Sequence, residues 1–166
     1  MTAKTSSGSS RTTATATRTD LLEVARAFAA APHRWPTAPK FDPISRWFIL
    51  LSEDPSAEVW LLTWLPGQAT DLHDHGGSAG AFVVVSGEIT ERVVTDHGTL
   101  TESVRTYDAG DGHGFGAHYV HRIVNNSPRP AVTVHAYGPA LTSMTRYDIS
   151  NGRLESVAVD RAGANW

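Results

Sequence analysis

The chain has 166 residues, 40% of them hydrophobic, with 14 basic and 17 acidic side chains and a net charge of -3. That length allows one compact domain plus a tail, and it buries a core without help from disulfides or a structural metal. The near-neutral charge argues against nucleic acid or a membrane surface as a partner, and the absence of cysteine excludes disulfides, cysteine-ligated metal and a thiol nucleophile. No apolar run approaches the ~20 residues needed to span a bilayer, and no secretory signal core is present, which predicts a soluble, cytoplasmic protein.

Residues 1–19 hold eleven Ser or Thr, three basic residues and no acidic one. So little apolar surface does not offset chain entropy, which predicts a disordered tail. An acid-poor, Arg-containing start also resembles an organellar transit peptide, though biased tails are commoner. Residues 20–166 read as a single domain. Asp20 stands three residues before Glu23 in a capping-box-like start, and Leu21, Val24, Ala25 and Phe28 form a stripe at helical spacing. Pro32 predicts the end of this helix near Ala31.

From Ser45 the pattern changes to short β-rich runs, at 45–52, 57–65, 81–86, 88–95, 100–107, 121–125, 131–138, 143–149 and 153–160. Turn pairs separate several of them, among them Pro66-Gly67, Ser86-Gly87 and His97-Gly98. Many short strands at near-regular spacing predict an all-β antiparallel sandwich or barrel behind a short N-terminal helix. Asn151-Gly152 between two alternating runs predicts a type I′ hairpin.

Eight histidines are present. His73 and His75 lie two apart, so in an extended segment both imidazoles point to one face, where a single metal ion could take both. A bare H-x-H reads equally well as two partly exposed histidines beside a glycine turn. His33 and His97 read as exposed. His113, in the glycine-rich stretch before His118 and His121, reads as exposed or as a group behind a ligand. Trp60 and Trp64 share one strand phase and read as core, while Trp47 and Phe48 wall a pocket or pack. Thr133, His135 and Tyr137 alternate with Val132, Val134 and Ala136; periodicity alone favours a solvent-exposed polar face.

Gly67 precedes His73 with five residues between them, and His121 precedes Asn125 with three between them. This pairing of G-x5-H-x-H with H-x3-N resembles the two-part motif of the cupin superfamily, and implies a double-stranded β-helix that brings both segments to one metal. The usual cupin glutamate position is occupied by Gly80, with Gly87 in its expected place. Three neutral imidazoles without a carboxylate favour anionic ligands such as thiolate and reduced oxygen.

That replacement, with HDH, HRIVN and AVTVHAYGPAL, resembles the cysteine dioxygenase family, of the bacterial type in which glycine stands at position 80. The resemblance implies one Fe(II) per chain held by His73, His75 and His121, and addition of both atoms of O2 to the sulfur of free L-cysteine. His118 is the rival third ligand, but the spacing to Asn125 favours His121. By the same resemblance Tyr137 handles hydrogen bonding or protons near the iron, with His135 and Thr133 fixing its position, and Gly138-Pro139 matches a cis step. Arg46, on the strand before 57–65, matches the group that binds the substrate carboxylate. The family's thioether crosslink to Tyr137 needs a cysteine that this chain lacks. A monomer is implied. The alternatives are 3-mercaptopropionate or another small thiol as substrate, or a non-catalytic cupin module that binds a metal or small molecule.

Overall fold

The structure, a computed structural model, describes residues 17–54 and 56–161. The tail expected over 1–19 lies outside the described residues as far as residue 16. Beyond it the chain is already ordered into helix α1 (Arg18–Ala29), which starts earlier than the sequence suggested. Thr17 is the N-cap: its hydroxyl accepts from the Asp20 backbone N–H, and the Asp20 carboxylate accepts from the Thr17 N–H. Asp20 therefore closes a capping box at the third helical position instead of opening one. Leu21 and Ala25 are fully buried. At ~25 cal/mol per Å² of apolar surface, a buried leucine of this kind contributes about 2 kcal/mol to holding the helix in place.

Eleven strands follow: β1 (Phe48–Glu53), β2 (Glu58–Trp64), β3 (Leu72–His73), β4 (Ala79–Ser86), β5 (Glu88–Asp96), β6 (Leu100–Asp108), β7 (Gly112–Phe115), β8 (Val120–Val124), β9 (Ala131–Gly138), β10 (Ser143–Ser150) and β11 (Arg153–Arg161). All nine expected runs are strands. The two additional ones are β3, too short to show a period, and β7, whose Gly-His-Gly-Phe sequence reads as turn but pairs with β4. Asn151 and Gly152 both have positive φ, as the type I′ turn between β10 and β11 requires. No helix among the described residues is long and apolar enough to cross a membrane.

The strands form two antiparallel sheets, ordered β1-β2-β9-β4-β7 and β11-β10-β3-β8-β5-β6. Together they make the double-stranded β-helix. α1 covers the outer face of the five-stranded sheet, where Leu21 and Ala25 pack with Val59, Leu61, Val83 and Val134. The inner faces enclose a second core containing Leu62, Trp64, Phe82, Ile123 and Tyr137. β9 is buried on both faces along its whole length. Its polar residues therefore point into the barrel, and the solvent-exposed reading that periodicity favoured is overturned because the helix occupies the other side.

The two halves of the histidine motif are tied by backbone. The Gly67 N–H donates to the Asn125 carbonyl at 2.8 Å, with Gly67 at φ +84. The Asn125 side chain donates to the carbonyls of Trp64 at 3.0 Å and Arg129 at 2.7 Å. Asn125 is fully buried, so these bonds satisfy groups that could not otherwise reach water. Gly138-Pro139 is cis.

Candidate metal centre

His73 ends β3 and is the direct cross-strand partner of His121 on β8. Both rings thus stand on the same face of the six-stranded sheet, and His75, two residues on, completes a triangle of imidazoles with centroids 4.9–5.0 Å apart. One nitrogen from each ring lies within 4.8 Å of the other two, and all three residues are buried. His118 is exposed, with φ +62, and stands apart from this cluster.

Hydrogen bonds at the far nitrogens orient two of the rings. Nδ1 of His73 donates to the Asp71 carbonyl at 2.9 Å, and Nδ1 of His121 donates to the Glu91 carboxylate at 2.7 Å. Each leaves Nε2 as an electron-pair donor toward the cluster. Both nitrogens of His75 are buried with no hydrogen-bond partner among the described residues. Such an orphaned group costs free energy unless something binds it, and a metal ion held by the three rings would give one of these nitrogens a partner. Burial lowers His73 to about 3 and drives His75 well below the ordinary imidazole value, so both rings are neutral at pH 7 and could serve as metal ligands. The donor set fits a divalent transition metal with positions left for other ligands.

Gly80 has a steric reason. A Cβ there would lie 2.5 Å from the Phe115 ring and 2.9 Å from that of Tyr137. Those rings flank His75, each with its centroid 5.0 Å from the imidazole. Aromatic packing thus occupies the space where a carboxylate ligand would stand.

The inward face of β9 carries a chain of buried polar groups. Trp64 Nε1 donates to the Thr133 hydroxyl at 2.9 Å, Thr133 meets His135 Nε2 at 2.9 Å, and His135 Nδ1 lies 3.2 Å from the Tyr137 hydroxyl. The indole is a donor only, so the threonine oxygen accepts there and can pass its own proton to His135. His135 then donates to the tyrosine oxygen. Burial holds His135 at about 3, and burial with the nearby Glu58 carboxylate pushes Tyr137 up. At neutral pH the chain is uncharged, with its protons in place.

Arg46 lies two residues before β1, not on the strand as the sequence suggested. Its guanidinium sits 4.9 Å over the Trp64 ring. Nη1 is buried without a hydrogen-bond partner among the described residues, and burial lowers the group to about 10. A cation so placed could receive an anion. Arg46, Trp64, His73, His121, His135 and Tyr137 face one cavity of about 280 Å³. Arg146 stands on its wall within ion-pair distance of Asp71 and Asp160.

Two residues escaped the sequence reading. Trp64 is core, as expected, but it also bears Arg46 and anchors Thr133. Glu91 is 1% exposed and lies behind His121. Its signal was present: Ile89, Glu91 and Val93 share one strand phase, and a carboxylate in an apolar phase needs partners. His113 is one of those partners, at 3.0 Å, so its reading as a group behind a ligand is the one the structure bears out. Trp60 and Phe48 pack against the core edge to face, while His33 and His97 are exposed.

Residues 12–150 match the family described as cysteine dioxygenase type I. Among solved structures the chain is similar to TT1209 from Thermus thermophilus, at 24% identity and TM-score 0.52, over 61% of this chain and 90% of that one. It is similar to an uncharacterized conserved protein with a double-stranded β-helix domain from Klebsiella pneumoniae, at 19% identity and TM-score 0.53, over 72% and 90%. KdgF from a Halomonas species aligns at 16% identity and TM-score 0.50, over 61% and 85%. These likenesses establish the double-stranded β-helix fold.

Proposed function

The chain belongs to the cysteine dioxygenase type I family, and on that premise we propose that it adds both atoms of O2 to the sulfur of free L-cysteine, giving cysteine sulfinic acid. His73, His75 and His121 hold one Fe(II) per chain. The observation that carries the reading is the cavity of about 280 Å³ shared by His73, His121, Arg46 with its Nη1 unpartnered among the described residues, and the polar relay, His75 completing the imidazole triangle. That volume accommodates a small amino acid.

When bound, Fe(II) would supply open positions for the substrate and O2 and relay electrons between them, the thiol sulfur giving up the four electrons that O2 takes up as its two atoms become the sulfinate oxygens. Arg46 receives the substrate carboxylate, which completes the hydrogen bonding of Nη1 and offsets the cost of its burial. The indole of Trp64 fixes the guanidinium from below. Leu62, Trp64 and Ile123 exclude water from the cavity and so strengthen this pairing. Tyr137, held by His135 and Thr133, directs its hydroxyl at the sulfur and oxygen atoms that react.

A substrate panel of cysteine, 3-mercaptopropionate and cysteamine, read as kcat/KM on the Fe(II)-loaded chain, tests the assignment. Cysteine should lead, and cysteamine, which lacks the carboxylate, should fall at least tenfold below it. Preference for 3-mercaptopropionate would transfer the reading to that substrate. No thiol-dependent oxygen uptake would leave a metal- or small-molecule-binding module.

A further inference from the structure

The three-imidazole set carries no charge to set against a divalent ion, yet a carboxylate stands one residue behind it. In the pairing of β5 with β8, Val93 lies opposite His121 and Glu91 opposite Ile123, which makes Glu91 and His121 diagonal neighbours on one face. Glu91 Oε1 accepts from His121 Nδ1 at 2.7 Å and from the Tyr119 hydroxyl at 3.2 Å. Oε2 accepts from the Tyr107 hydroxyl at 2.9 Å and from His113 Nδ1 at 3.0 Å. Four donors on two oxygens leave the carboxylate fully satisfied and anionic.

We propose that Glu91 is a positioning residue for the metal centre: through His121 it supplies the negative charge that the glycine at position 80 removes from the ligand set, strengthening metal binding and favouring the more oxidised ion. This rests on the reading of His73, His75 and His121 as ligands. An imidazole whose N–H donates to a carboxylate acquires imidazolate character and becomes a stronger donor at its other nitrogen. Three other donors, Tyr119, Tyr107 and His113, tune how much of the carboxylate's basicity reaches His121. Tyr119 shares Oε1 directly, and its ring stacks on Phe115 at 4.7 Å, so a phenylalanine there would keep the packing and lose the competing bond together with a 3.4 Å contact to His113 Nδ1. Glu91→Gln is nearly isosteric. Its carbonyl can still accept from His121 while the amide faces Tyr107 and His113, whose hydroxyl and alternative tautomer can accept. This variant removes the charge and keeps the contact.

The test measures Fe(II) affinity by anaerobic competition with a chromogenic chelator, and the Fe(III)/Fe(II) midpoint potential by spectroelectrochemistry, for the wild type, Glu91→Gln and Tyr119→Phe. Glu91→Gln should bind Fe(II) about 10–100-fold more weakly and show a raised potential. Tyr119→Phe should move the potential the opposite way, with Fe(II) bound at least as tightly as in the wild type. A merely structural Glu91 would not produce shifts of opposite sign. Unchanged affinity and potential in Glu91→Gln would overturn the proposal, as would a rise in potential in Tyr119→Phe. Should Glu91→Gln fail to fold, the Tyr119→Phe potential decides alone, a fall supporting the role and no change refuting it. A wild-type chain that binds no Fe(II) would remove the metal centre and the role of Glu91 together. Neither readout requires oxygen uptake, so the substrate reading can fail while this one stands.

Discussion

The two sheets divide the chemistry between them. The six-stranded sheet carries His73, His121 and Glu91, the groups proposed here to hold and tune a metal, whereas the five-stranded sheet carries Trp64, Thr133, His135 and Tyr137, and Arg46 lies just ahead of its first strand. Their exposures differ as well. β9 is buried on both sides beneath α1, while β6 in the other sheet is exposed over most of its length. Polar side chains on the covered sheet must therefore satisfy one another, and they form a relay. In the solvated sheet many polar side chains are open to solvent, and the inward Glu91, Tyr107 and His121 are joined in a network.

The largest expected break falls on the metal side. His121→Ala should abolish stoichiometric Fe(II) binding and turnover, because it removes a ligand and leaves the Glu91 carboxylate buried without its closest donor; anaerobic iron analysis and oxygen uptake check both. On the opposite wall, Arg46→Gln should cost cysteine about 10–150-fold in kcat/KM, the equivalent of a lost charge-assisted contact of roughly 1.5–3 kcal/mol, and should affect cysteamine, which has no carboxylate to lose the contact, far less. Equal losses on cysteine and cysteamine would remove Arg46 from the carboxylate role. Gly80→Ala, where the sheets meet the metal, should lower stability by ~1–3 kcal/mol in thermal melts, since its Cβ would run into the stacked Phe115 and Tyr137 rings.

Acid should separate the two walls of the metal-free chain. His73 and His135 are held near 3 in the fold against 6.5 ordinarily, so between those values the unfolded chain binds more protons and stability falls as pH drops, by roughly 1.4 kcal/mol per pH unit for each ring. Glu91 acts lower. Its depressed carboxyl contributes stability above its ordinary value of 4.5, which is lost as pH falls toward about 2. Denaturant midpoints from pH 7 to 3 should therefore decline first through the histidines, with a shallower slope in His135→Gln. The smallest effect belongs to the solvated face, where Arg92→Ala breaks a pair with Glu102 that is more than a third exposed on each side; a change above ~1 kcal/mol would contradict its surface character.

Most of the fold was legible because alternating β-branched runs and glycine turns are local signals. The three clustered histidines were legible because H-x-H and H-x3-N fix spacing within single segments. What stayed hidden depends on contacts between distant segments. The Thr17 cap was masked by a Ser/Thr-rich neighbourhood, and the direction of the Thr133, His135 and Tyr137 face depended on which side α1 covers. Glu91 looked like one more charge on a strand until β8 brought His121 beside it.

The most direct test exposes anaerobically Fe(II)-loaded protein and L-cysteine to 18O2 and weighs the product. The account predicts cysteine sulfinic acid carrying two labelled oxygen atoms, formed only when thiol and iron are both present. Disulfide alone, a single labelled atom, or no uptake of oxygen would contradict it.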